Sequence, residues 1–138
     1  MNKLIGLLVG ALLSSPVCAD ENDFRCLKSI GLKKPLRLQF TLASDNDDVG
    51  SVIYKNGSGR IPIKRVKETQ LRRGPVGRPS EIETRWAEIA PEGAGGTYLV
   101  VSQGAVLSGF RYIRQDGKQF SFEEEPEAAA EQGCHWPR

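Results

Sequence analysis

The chain has 138 residues, 39% of them hydrophobic and 26% charged, with a formal net charge of +2. So small a basic excess argues against general nucleic-acid binding. The length suits about one domain, large enough to bury roughly two thirds of its unfolded surface.

The first residues, MNKLIGLLVGALLSSPVCAD, carry one lysine, an apolar run from Leu4 to Leu13 and a small-residue stretch ending Val17-Cys18-Ala19. That is the layout of a secretory signal peptide. Cleavage is expected after Ala19, dividing the chain into a signal peptide over residues 1–19 and a single domain over residues 20–138, with a periplasmic or secreted destination. Cys18 offers a second reading as the acylated cysteine of a bacterial lipoprotein, although Val17 stands where such signals place a small residue. Removing residues 1–19 takes away one lysine and lowers the formal charge from +2 to +1. No later stretch approaches the ~20 apolar residues of a membrane helix, so no membrane span is expected.

Two cysteines remain after cleavage, Cys26 and Cys134. In an exported chain an even pair reads as a disulfide. It would tie the first strand to the last residues, and closing so long a loop is worth roughly 4–5 kcal/mol in the chain-entropy model. A metal site lacks ligands, because two thiols and the single histidine, His135, fall short of a closed coordination shell. No cofactor is implied.

Between the cysteines the pattern has period two. Residues 36–44, LRLQFTLAS, place Leu36, Leu38, Phe40 and Leu42 on one face and Arg37, Gln39 and Thr41 on the other, as a half-buried strand does. After the polar turn DNDDVG come strands over 51–56 and 61–68, with Ile61, Ile63 and Val66 expected inward and Pro62 marking an edge or a strand start. GPVGRPS, residues 74–80, interrupts any regular element. Residues 81–90, EIETRWAEIA, alternate as Ile82, Thr84, Trp86 or group helically as Ile82, Trp86, Ile89. The strand is favoured because its neighbours are strands. Strands over 97–104, 105–115 and 118–125 follow, the last two joined by Asp116-Gly117, a strong hairpin signal. Residues 126–132 suit one helical turn. Seven to eight short strands with regular turns predict an all-β fold, a small antiparallel barrel or sandwich closed by one disulfide.

Catalytic constellations are sparse. His135, three residues from the C-terminus, is the sole histidine, so a nucleophile would depend on the tail for its base. Glu123, Glu124 and Glu125 alternate faces along a strand and read as solvated charge rather than an acid–base pair. The expectation is a protein that is not an enzyme. Charge is segregated: residues 61–80 hold six basic residues against Glu68, a local +5, and residues 123–131 carry five glutamates and no base. The two segments can pair with each other, solvate the surface or steer a charged partner.

The stretch VLSGFRYIRQDGKQFSFEEE opens with Ser108-Gly109 where a strand former is expected. Glycine inside a strand marks a bulge or a close backbone approach. The bulge either bends the strand to close the barrel or bares the chain for a partner. FRC at 24–26, a strong strand soon after, SGFRY at 108–112 and a cysteine near the C-terminus follow the order of landmarks in the periplasmic and membrane-bound inhibitors of c-type lysozyme, the MliC/PliC group, which this chain resembles in part. Those are exported β-barrels whose S-G-x-x-Y motif lies on the edge that enters the lysozyme cleft. The resemblance matches the motif to Ser108, Gly109 and Tyr112, and pairs Cys26 with Cys134 as a barrel-closing disulfide. The family's second motif ends in Lys-Gly, whereas Gly117-Lys118 is the reverse order, and residues 64–96 look like an insertion. The expected partner-binding residues are therefore Ser108, Gly109, Arg111, Tyr112 and Lys118, facing a protein partner, a hydrolase that is inhibited. The alternatives are a periplasmic immunity protein against a secreted toxin, or a small-ligand carrier with Trp86, Tyr54, Tyr98 and Phe40 around an interior cavity.

Overall fold

A computed structural model of the chain describes residues 23–137. The expected signal peptide, its expected cleavage point and Cys18 lie outside the described residues. Eight strands form one closed antiparallel barrel in chain order: β1 (Phe24–Ser29), β2 (Arg37–Leu42), β3 (Val49–Tyr54), β4 (Arg60–Arg72), β5 (Glu81–Glu88), β6 (Thr97–Gln103), β7 (Val106–Ile113) and β8 (Gln119–Glu124). The seam is the β1–β8 ladder, which pairs Leu27 with Glu124 and Ser29 with Phe122. Closure gives every strand of the barrel a neighbour on each side.

Alternation decides the interior. Leu27, Leu38, Phe40, Val52 and Ile63 come inward from the first four strands, and Trp86, Tyr98, Val100, Phe110 and Phe122 from the last four. Residues 81–88 are a strand, with Trp86 in the core and Arg85 exposed. Two inward assignments need correction. Leu36 precedes β2 and is exposed. Val66 is the additional residue of a bulge between Arg65 and Lys67: the inward series Ile61, Ile63 continues to Arg65, Val66 faces solvent, and the alternation is inverted only beyond it, where Glu68 rather than Lys67 reaches the interior. Pro62 lies near the start of β4, just before the β5 ladder begins at Ile63, and its carbonyl accepts from Ile89 N at 2.9 Å on that side. Its missing N–H lies on that same side, beyond the last β4–β5 register pair, so the β3–β4 ladder loses no donor.

Turn chemistry matches the joints. Gly104, with φ of 59°, supplies the left-handed first position of the two-residue β6–β7 loop. Gly117, with φ of 92°, turns the β7–β8 hairpin, and Asp116 accepts from Lys118 N at 3.0 Å. The Arg114 guanidinium and the Lys118 amide hold the Asp116 carboxyl down to about 2, below the usual carboxylate range.

The segment after β8 is a strap. A 3-10 turn, Pro126–Ala128, leads into the two-residue strands β9 (Ala129–Ala130) and β10 (Gly133–Cys134). Cys134 is bonded to Cys26, and the Cys134 N–H donates to Gln39 Oε1 at 2.8 Å. The strap thus covers the outside of β1 and β2 beside the seam. Among the described residues no helix is long and apolar enough to cross a membrane.

Candidate functional site

The ends of the barrel differ. At the end carrying the β1–β2, β3–β4, β5–β6 and β7–β8 turns, tyrosines plug the interior. Tyr98 is fully buried and its hydroxyl lies 2.8 Å from the Tyr54 hydroxyl. Tyr112 packs against Tyr98 at 4.8 Å between ring centroids and donates its hydroxyl to Glu88 Oε1 at 2.8 Å, an oxygen that also accepts from Gly96 N at 3.0 Å. Burial pushes the Tyr54 hydroxyl up to about 12 and raises Tyr98 and Tyr112 as well. These phenols are neutral hydrogen-bonding groups at physiological pH.

The opposite end, bounded by the β2–β3, β4–β5 and β6–β7 connections, is open. A cavity of about 290 Å³ enters the barrel there. Its floor is aromatic: Phe40 meets Trp86 and Phe110 edge to face, each at 5.5 Å between centroids. The Trp86 indole N–H donates to Thr84 Oγ1 at 2.9 Å, so its polar atom is satisfied within the wall. On the rim, Arg25 donates to Glu124 Oε1 and to the Ala105 carbonyl, both at 2.8 Å, and so ties the β6–β7 turn to the barrel seam. Arg65 is similarly held by Asp48, to which its Nε donates at 2.9 Å.

The sequence-predicted site residues are divided between these ends. Ser108 is the additional residue of a β-bulge, because Val101 pairs with Gly109 and Ser102 with Leu107. It is exposed near the open end, and its hydroxyl lies 3.3 Å from the Val101 carbonyl. Gly109 sits beside it, and a methyl group there would meet Val101 Cβ at 3.4 Å, an ordinary contact. Arg111 is also exposed and donates to Gln119 at 3.1 Å across the β7–β8 pair. Tyr112 turns inward to the plugged end. Lys118 is beyond it in the β7–β8 turn, with its ammonium 5.3 Å from the Phe120 ring centroid. The structure thus brings Ser108, Gly109 and Arg111 together on the outside of β7 and places Tyr112 and Lys118 at the other end.

Of the aromatics expected around an interior cavity, Phe40 and Trp86 line it, whereas Tyr54 and Tyr98 belong to the plug. Residues 64–96, the apparent insertion, supply much of β4 and all of β5. The basic and acidic segments do not pair with each other. Among the described residues Glu124 and Glu125 pair with Arg25 and Arg37, Arg65 with Asp48 in the β2–β3 turn, and Arg72 with Glu81 across the β4–β5 hairpin. Glu88 was not singled out from sequence, although it continues the inward series Ile82, Thr84, Trp86. Arg25 carried no local signal, since its partner Glu124 lies at the other end of the chain. The chain matches no known family model, no curated protein and no solved structure.

Proposed function

We propose that this is an exported, non-catalytic binding barrel whose Ser108 edge engages a protein partner, a cell-wall hydrolase of the c-type lysozyme kind that it inhibits. One observation carries the reading. Gly109 is not among the glycines with positive φ, and the space beside it accepts a methyl group, so neither backbone strain nor crowding requires glycine there. The bulge needs no bare position at 109 to form. What the missing side chain does provide is a half-exposed stretch of main chain beside an exposed serine hydroxyl, a surface that a partner's backbone can approach. Arg111 on the same face adds a residue type enriched at interfaces.

On this reading Tyr112 acts from behind the edge, anchoring β7 through Glu88 rather than touching the partner. The test measures peptidoglycan hydrolysis by a c-type lysozyme at increasing concentrations of the protein. Inhibition is expected, weakened about thirtyfold by Ser108→Ala, the effect of truncating a central interface residue. Absence of inhibition by the unmutated protein at micromolar concentration overturns the hydrolase assignment.

A further inference from the structure

The aromatic floor of the open end has no part in the edge described above, and its chemistry is specific. Phe40, Trp86 and Phe110 are almost fully buried as residues, yet they border a cavity that opens to solvent. Phe40 meets each of the other two rings edge to face at the cavity floor, and the faces of aromatic rings attract cations. At about 290 Å³ the cavity lies near the lower limit for small-molecule sites.

The rim sets the sign of the charge. Its basic residues, Arg25 and Arg65, are occupied by Glu124 and by Asp48 with Glu68. Its acids Asp23 and Asp47 make no ion pair among the described residues. Alternation directs the nearby bases away: Lys64, Lys67 and Arg85 are exposed and do not line the cavity, whereas Arg65, Glu68 and Thr84 do. An anion entering the mouth would meet uncompensated carboxylates. A cation would meet carboxylates at the rim and aromatic rings below.

We infer that the open end of the barrel is a binding site for a small organic cation, a quaternary or protonated ammonium carried on a short apolar or aromatic body. The body fills the space above Phe40, Trp86 and Phe110, and the charge is held between those rings and the carboxylates of Asp23 and Asp47. No protein partner is needed, so the site stands or falls separately from lysozyme inhibition.

The test titrates the protein with benzyltrimethylammonium and, in parallel, with its anionic counterpart toluenesulfonate, following tryptophan emission and heat. The cation is expected to bind saturably with a Kd below about 1 mM and to change Trp86 emission, while the anion binds at least about tenfold more weakly. The double variant Asp23→Asn/Asp47→Asn, confined to exposed side chains, should weaken cation binding about fivefold and leave thermal unfolding unchanged. Leu107→Phe, which adds bulk to the cavity wall, should abolish binding in a protein whose melting transition shows it folded. No saturable cation binding at about 10 mM, equal or tighter binding of the anion, or indifference to the Asp23/Asp47 change overturns the proposal.

Discussion

The two ends of this barrel are made by the same strands and the same alternation, yet one is plugged and the other open. The difference lies in the size of the inward side chains. Tyr54, Tyr98 and Tyr112 project inward at one end, and each hydroxyl has a partner, so the rings are buried without stranding a polar atom. At the other end the corresponding wall positions are Ile82, Thr84, Val100, Ser102 and Leu107, which cannot span the lumen. Closure of a barrel therefore does not fill it. Residue volume, layer by layer, decides where a lumen remains.

The largest expected effect comes from emptying the plug. Tyr98 is fully buried at the centre of the ring cluster, and its hydroxyl partners Tyr54. Tyr98→Ala should cost about 3–5 kcal/mol of stability, because the cavity adds to the lost burial and leaves the Tyr54 hydroxyl without its partner. Chemical denaturation measures this. A loss below about 1 kcal/mol would mean that the plug contributes no more than an exposed surface does.

A smaller effect should appear with alkali. The Tyr54 hydroxyl is raised from an ordinary value of 10.0 to about 12, and Tyr98 is raised further, chiefly by burial. The folded state holds these protons while unfolded tyrosines release theirs above pH 10, so the stability they contribute is complete below pH 10 and declines as pH climbs through 12. The slope is roughly 1.4 kcal/mol per pH unit for each tyrosine retained. Melting temperatures across that interval should fall steeply for the unmutated protein and less steeply for Tyr54→Phe. Equal slopes would place the alkaline transition elsewhere.

The strands and turns of the barrel were legible in the sequence, whereas the contrast between its two ends was not. The alternation of β2, β5 and β8, the Asp116-Gly117 turn and the paired cysteines are local or compositional signals, and the barrel and disulfide follow from them. Val66 and Glu68 show where such signals stop: the β4 bulge at Val66 exchanges inward and outward positions beyond it, and nothing in IPIKRVKE announces it. The cavity is a matter of which inward residues share a layer, and that depends on strand stagger. Trp86 lines the open cavity while Tyr98, its register partner on the next strand, plugs the other end. The motif residues illustrate the same limit, since Ser108 and Tyr112 are four apart in sequence but belong to opposite ends and opposite faces.

The smallest expected effect on stability is also the sharpest test of what separates the ends. Two glycines flank the contrast. Gly96 is packed so closely under Tyr112 that a methyl group there would overlap its ring, so the plug itself demands glycine at that position. Gly109 faces only an ordinary contact with Val101. If its bareness serves the fold, Gly109→Ala should lower the melting temperature. If it serves a partner, the substitution should leave stability within about 0.5 kcal/mol, or raise it slightly because alanine loses less backbone freedom on folding than glycine does. The second outcome is expected, together with weaker lysozyme inhibition, since the methyl group covers main chain that the partner must approach. Thermal unfolding and inhibition measured on this one variant therefore read the two explanations against each other. A destabilised protein that inhibits normally would assign the glycine to the bulge and leave the Ser108 edge without its main support.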